Sequence, residues 1–226
     1  MQRIFDIIFS GTALFILCPL LIPIAILLRL TGEGEIFFIQ KRLGKDGEVF
    51  GLYKFATMLK NSPNMTTGTI TVKEDSRILP AGKWLRKSKL NELPQLLNIL
   101  FGDMSVIGPR PLTAQTFGSY PLNTQRIIKT VRPGLSGVGS IIFRDEEDIL
   151  SGKNEAIDFY TTTIAPYKGL LEEWYVKHKN LKNYFGAIGI TAWVVCVPSS
   201  SIAWKFFRDL PRPPEGLEKI LNYPTE

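Results

Sequence analysis

Among 226 residues there are two cysteines, one histidine and no Gly-x-Gly-x-x-Gly run. Cys18 and Cys196 lie far apart, and Cys18 sits in an apolar stretch, so neither a disulfide framework nor a zinc site is indicated. A reducing cytoplasmic setting fits that usage. The single histidine, His178, reads as a surface residue rather than a general base. The missing glycine fingerprint removes a Rossmann-type dinucleotide site, and there is neither an internal repeat nor a low-complexity segment. What is present is positive charge: 27 Lys plus Arg against 21 Asp plus Glu, a net +6. That balance favours an anionic partner, whether nucleic acid, a phosphorylated ligand or an acidic membrane surface. The length allows one domain with a sizeable core and an attached membrane element.

From Ile4 to Leu30 the chain is almost uniformly apolar, enough to cross a bilayer of about 30 Å as one straight helix of roughly 20 residues. Pro19 and Pro23 argue against straightness, because each removes a backbone donor and crowds the preceding turn. Basic residues flank both ends, Arg3 on one side and Arg29, Lys41 and Arg42 on the other, whereas a simple span shows its Lys/Arg bias on one side. A hairpin that enters and leaves on one face and an ordinary kinked span fit these residues equally well. A secretory signal fits less well, since the apolar stretch is too long and has no small-residue cleavage site.

Beyond this segment, Ile36–Gln40 and Val49–Phe55 are β-prone runs separated by Gly44–Gly47, which predicts a hairpin. Residues 61–71 read as a polar loop. Between Gly82 and Leu100 the leucines at 85, 90, 93, 96, 97 and 100 recur at helical spacing and predict one amphipathic helix. Helical segments are also expected over 115–130 and 153–184. The apolar run Phe185–Val197 ends at Pro198 and is short for a span. Trp204, Phe206 and Phe207 follow among Lys205 and Arg208, a mixture suited either to a headgroup layer or to a core helix and tail.

The chemistry-bearing stretch is KWLRKSKLNELPQLLNIL. Asn91 and Glu92 stand just ahead of Pro94, which tolerates the first turn of a helix, so Asn91 is expected to be the N-cap. Free N–H groups at such a turn make an anion site. Lys54, Arg77, Arg86, Arg110 and Arg132 add cations able to hold a pyrophosphate; each alone is an ordinary surface charge.

Several long motifs occur in order: FFIQKRLG (37–44), KFATM (54–58), DSRILPAGKWLRKSKLNELPQLLNIL (75–100), GDMSVIGPRPL (102–112) and VRPGLSG (131–137). With the apolar N-terminus, they resemble the bacterial sugar transferases, the monotopic phosphoglycosyl transferases. The likeness runs from residue 1 to about 137 and weakens afterwards. It implies a mainly helical α/β fold: a re-entrant membrane helix over 1–32, a small cytoplasmic catalytic domain with a short β-hairpin over 33–184, and interfacial helices ending in a membrane-associated segment over 185–226. The re-entrant helix breaks at a Ser-Pro pair in that family, matched here by Cys18-Pro19.

The resemblance also implies an activity, transfer of a sugar-1-phosphate from a UDP-sugar to polyprenyl phosphate at the cytoplasmic face of the bacterial inner membrane. The family's Asp-Glu pair corresponds to Asn91 and Glu92. The aspartate attacks the donor phosphate and carries a phosphosugar, while Glu92 corresponds to a Mg²⁺ ligand. Lys54, Arg86, Arg110 and Arg132 would neutralise the pyrophosphate. Glu172, ahead of Trp174 and Tyr175, corresponds to a further acidic site and is expected among the substrate-binding residues, as is Arg77. The expected partners are the two substrates and membrane lipid, without nucleic acid, and a homodimer is compatible with the likeness. An amide at 91 cannot form the acyl phosphate usefully, so this form is expected to be inactive or to trap substrate, the alternative being a noncatalytic scaffold that binds nucleotide sugar. A second departure is Gly139-Ser140 where the family often has Ala-Gln, followed by Ile141–Arg144 and the acidic run Asp145–Asp148 in place of an Asn-Gly-Arg stretch.

Overall fold

The computed structural model describes residues 1–31, 33–62, 76–144, 146, 149 and 156–224. Most of the expected polar loop 61–71, much of the acidic run 145–148 and residues 153–155 lie outside them. The chain forms two compact units, one of Met1–Arg3, Arg42–Phe50 and Asp103–Glu226, the other of Ile4–Lys41 and Gly51–Gly102. The fold is the mainly helical one expected, with two sheets of two strands each.

Helix α1 (Gln2–Leu30) is 29 residues long and holds Pro19 and Pro23 inside it. It is the one helix among the described residues long and apolar enough to cross a membrane, and only 11% of its most apolar window is buried, unlike the core helix of a soluble protein. Near its end Ile24 and Leu28 are buried with Phe55 and Leu85 in the core of the second unit. Strands β1 (Phe37–Leu43) and β2 (Val49–Phe55) form the expected hairpin, β1 running past Gln40. A 3₁₀ turn at Lys45–Gly47 joins them, with positive φ at Asp46 and Gly47, a conformation that Gly and Asp accept at low cost. Phe37 and Phe55 stack at 5.7 Å between ring centroids.

The single helix expected over 82–100 is instead three pieces: α2 (Pro80–Lys87), a 3₁₀ turn at Leu90–Glu92, and α3 (Gln95–Phe101). Lys89 between them is left-handed, with φ 59°, and Pro94, which lacks an N–H, stands at the N-cap of α3. The leucine spacing survives inside each piece, so Leu85, Leu96 and Ile99 are buried. The segment around Met58 pairs antiparallel with that around Ile78, Leu79 N–H donating to Thr57 O at 3.0 Å and Leu59 N–H to Arg77 O at 3.0 Å. Pro80 then starts α2 in the position proline favours. Gly82 rests on Thr57, where a Cβ would overlap the carbonyl oxygen.

In the first unit β3 (Ser105–Ile107) and β4 (Gly134–Ser136) pair in parallel, Ser105 opposite Gly134 and Ile107 opposite Ser136. Between them the expected helix over 115–130 divides into α4 (Ala114–Gly118) and α5 (Leu122–Ile128), because Pro121 restarts the chain at the N-cap of α5. Helices α6 (Val138–Ile142), α7 (Ala156–Phe159), α8 (Ala165–Lys177), α9 (Leu181–Cys196) and α10 (Ile202–Phe206) follow, with a π turn at Tyr160–Ile164 leading into α8. The expected helix over 153–184 is also interrupted: Asn180 caps α9, its side chain accepting from Asn183 N–H at 2.8 Å. Of the aromatics expected either in a headgroup layer or in a core helix and tail, Phe207 is buried and Trp204 and Phe206 are half-buried. Ala203, Phe207, Leu217 and Leu221 are buried, whereas Phe185, Trp193, Val195 and Val197 are exposed.

Replacing Gly82 by alanine forces a methyl group into the Thr57 carbonyl, and overpacking of this kind costs about 1–3 kcal/mol. Gly82→Ala is therefore expected to lower the thermal unfolding midpoint in detergent by several degrees, while Gly118→Ala, at a position with open space, leaves it within a degree or so.

Candidate active site

The second unit carries Lys54, Arg77, Arg86, Asn91 and Glu92; the first carries Arg110, Arg132 and Glu172. In the second unit, Lys54 on β2 sits near the 3₁₀ turn that bears Glu92, Nζ to Oε1 at 3.7 Å, both side chains about four-fifths buried. Asn91 on the same turn is 6% exposed. It does not cap a helix as expected, for Pro94 occupies the N-cap of α3. Its Oδ1 is buried with no hydrogen-bond donor among the described residues. Arg86, near the end of α2, is half-buried. Arg77 is 2% exposed and its Nη1 donates to Ser62 O at 2.8 Å, so this guanidinium works on the chain's own backbone.

Asn98, which pattern reading passed over as one polar residue in a leucine-rich helix, positions this site. It is fully buried. Its Oδ1 accepts from Tyr53 N–H at 3.0 Å and its Nδ2 donates to Gly51 O at 2.8 Å. One amide thus pairs with β2 as a neighbouring strand would, fixing α3 to the strand beside Lys54. The signal in the sequence is a lone amide among leucines on a helix face, which requires a backbone partner if buried.

In the first unit the motifs around Arg110 and Arg132 meet backbone to backbone. Gly108 N–H donates to Ser136 O at 2.9 Å, Ser105 N–H to Pro133 O at 2.8 Å and Gly134 N–H to Pro109 O at 2.8 Å. A Cβ at Gly134 or Gly137 would collide with the backbone of Gly108, which explains glycine in both motifs. Arg110 and Arg132 flank this junction and are exposed. Glu172, on α8, is 1% exposed. Its Oε1 accepts from Arg110 N–H at 3.3 Å, its carboxylate also accepts from Gly139 N–H, and Oε2 has no partner. Burial pushes this carboxyl up to about 7, against the opposing pull of Lys168, the two N–H groups and Arg110. The expectation that Glu172 touches substrate therefore meets a residue enclosed by the protein's own chain. Nearby, Lys168 is 2% exposed and pairs with Glu146. Burial raises Tyr120 far above its usual range and lifts Tyr160 to about 12, so both stay protonated.

In the second unit a partly enclosed turn combines a cation, a carboxylate and a buried amide oxygen, a set able to hold an anion or a cation; in the first, two exposed arginines flank a glycine junction. The model of the bacterial sugar transferase family matches residues 1–197. The chain belongs to that family. Among curated relatives of the family, UDP-glucose:undecaprenyl-phosphate glucose-1-phosphate transferase of Klebsiella pneumoniae is 36% identical over 163 residues, 70% of this chain and 34% of that protein. Exopolysaccharide production protein ExoY of Sinorhizobium fredii is 31% identical over 187 residues, 76% of this chain and 77% of ExoY. Undecaprenyl-phosphate galactose phosphotransferase of Salmonella typhimurium is 31% identical over 209 residues, 86% of this chain and 40% of that protein. The chain thus spans about a third of the Klebsiella relative and about three quarters of ExoY.

Two outcomes are expected of this family member. Asn98→Leu strips two half-buried backbone groups of their partners, at about 0.5–1.5 kcal/mol each, and should lower the unfolding midpoint by several degrees, whereas a change at exposed Lys87 should not. For Glu172 the folded carboxyl titrates above its ordinary 4.5. Its contribution to stability is full below about 4.5 and is lost as the pH rises through 7, about 3 kcal/mol at most. Unfolding midpoints measured from pH 5 to 8 should fall for the parent protein and fall less for Glu172→Gln, which has no charge to bury.

Proposed function

We propose that this scaffold transfers a sugar-1-phosphate from a UDP-sugar to polyprenyl phosphate of the undecaprenyl type, the first membrane step in assembling a glycoconjugate. The observation that carries the proposal is the turn at Leu90–Glu92, where Glu92 lies beside Lys54 and position 91 presents a buried oxygen without a donor. The activities for which the Klebsiella and Salmonella relatives are named support it. With aspartate at position 91, a carboxylate oxygen attacks the sugar-bearing phosphorus, the bond to the nucleoside monophosphate breaks, and the phosphosugar stays on the enzyme as an acyl phosphate. A polyprenyl phosphate oxygen then attacks the same phosphorus and frees the carboxylate. Lys54, Arg86, Arg110 and Arg132 offset the charge that gathers on the leaving phosphate. Arg77, tied to Ser62, serves the fold.

The residues on this turn fit Mg²⁺. Glu92 offers one carboxylate and Asn91 an amide oxygen left unpartnered, and magnesium is held by one or two carboxylates together with substrate phosphates. Glu92 would hold the ion, with Asn91 beside it, and the ion would supply positive charge at the donor's phosphates. Helix α1, which runs unbroken through Cys18-Pro19, is proposed to dip into the cytoplasmic face of the inner membrane and return by bending at its prolines, with basic residues at both ends. The exposed Phe185, Trp193, Val195 and Val197, near Lys205 and Arg208 in sequence, suit the headgroup layer.

Asn91 specifically favours a second reading, a scaffold that binds nucleotide sugar without turning it over. The separating experiment measures nucleoside monophosphate release from a panel of UDP-sugars with Mg²⁺ and polyprenyl phosphate in detergent. The parent chain is expected to give no burst of nucleotide, while Asn91→Asp releases nucleotide and Asn91→Asp with Glu92→Gln loses at least about a hundredfold of that rate. Silence from folded Asn91→Asp across the panel would hand the case to the noncatalytic reading.

A further inference from the structure

The glycine at 139 and the acid at 172 occupy one space. A Cβ built on Gly139 would lie 2.5 Å from Glu172 Oε1 and 2.9 Å from its Cδ, inside any tolerable contact, and one on Gly137 would lie 3.2 Å from Oε2. Glu172 is 1% exposed, and the hydrogen bonds of its carboxylate are to backbone N–H groups of Arg110 and Gly139. Those two N–H groups belong to the two segments that meet at the glycine junction, GPRP after β3 and the turn after β4. Helix α8 is nearly all buried around Glu172, with Leu171 and Tyr175 fully enclosed, so the carboxylate cannot swing away. Tyr175 adds a bond from its hydroxyl to Ile107 O at 3.4 Å, anchoring the same helix to the end of β3.

We propose that Glu172 is a positioning residue, matched in length to the empty side of Gly139, which locks the backbone at Arg110 and so presets that guanidinium for a phosphate-bearing ligand. The pairing accounts for glycine at 139: a methyl group there and the glutamate side chain at 172 cannot share the site. It also gives a buried carboxylate a task that needs no contact with substrate. An acid shorter by one methylene leaves room for one methyl group, so the two positions exchange as a volume-conserving pair. That the ligand carries phosphate rests on the proposed function; the tie between Glu172, Gly139 and Arg110 does not.

The test is a four-member set in detergent: parent, Gly139→Ala, Glu172→Asp and the double variant. Amide hydrogen exchange at Arg110 is read together with affinity for UDP. Each single variant is expected to expose the Arg110 amide and weaken UDP binding about tenfold, and the double variant to recover to within about threefold of the parent on both readouts, a coupling that contacting residues show and independent ones do not. Rescue is the signature that general loss of structure would not produce. Additive losses in the double variant overturn the proposal, as does an Arg110 amide unmoved by Glu172→Asp. Should Gly139→Ala alone fail to fold, return of folded protein in the double variant counts as rescue, and its failure to return overturns the pairing. A parent chain that does not bind UDP refutes the proposed donor, while the exchange and rescue arms, which need no ligand, still decide on the tie.

Discussion

A buried backbone N–H or C=O must find a partner, because leaving one unpaired costs about 1–3 kcal/mol. In this protein the sheets are too small to supply those partners. Among the described residues each has two strands, so each strand pairs with another along one edge. Side chains fill the gap. Asn98 serves the outer edge of β2 through Tyr53 and Gly51. Gln2 donates to Ile107 O at 3.2 Å and to Ser105 Oγ at 2.8 Å along β3. Glu172 accepts from the loop that follows β3.

These surrogate partners fall where charged residues are needed. Tyr53 and Phe55 flank Lys54, so fixing the backbone at Tyr53 limits where the ammonium can reach, and it comes to rest 3.7 Å from Glu92. Arg110 follows Pro109, whose carbonyl is taken by Gly134, and its own N–H is taken by Glu172. In both units a buried polar side chain on a helix holds the backbone from which a cation extends. Such pairing is directional, unlike apolar packing, and that suits sites where a displacement of an ångström matters. The glycines at 108, 134 and 137 are the other half of the arrangement, since two backbones can exchange hydrogen bonds this closely only if neither carries a side chain between them.

The local parts of this structure were legible in the sequence and the long-range parts were not. The apolar run to Leu30 and the hairpin around Gly44–Gly47 declare themselves within a few residues, and of the six leucines at helical spacing Leu85 and Leu96 are buried although the helix is broken. The break itself was hidden: it depends on a left-handed Lys89, a conformation for which lysine gives no advance sign. Strands β3 and β4 are three residues each and pair across 29 positions of chain, too short to show alternation. At the site, Asn91, Glu92, Lys54, Arg86, Arg110 and Arg132 were picked out by motif, and the structure brings Lys54 to Glu92. Arg77 and Glu172 were picked out by the same means. Their burial follows from tertiary packing, and both side chains bond backbone groups of the protein. Asn98 escaped notice because its role exists only once β2 lies beside α3.

Asparagine at position 91 has the shape of aspartate without its charge, and the surroundings suit a neutral side chain. The Oδ1 atom is buried and receives no hydrogen bond from the protein. For a neutral amide the penalty is that of one unmade bond; for a carboxylate in the same place it is several times larger unless a cation or donor arrives to meet it. Next to it in the chain stands Glu92, already facing Lys54, and a second anion there would add like-charge repulsion. A turn built to carry two adjacent carboxylates would therefore be strained as a folded element and relieved by whatever cation or proton donor enters with a ligand. The amide form escapes that strain. It should hold the turn in its folded geometry without ligand, so the stability of the turn does not depend on an entering cation.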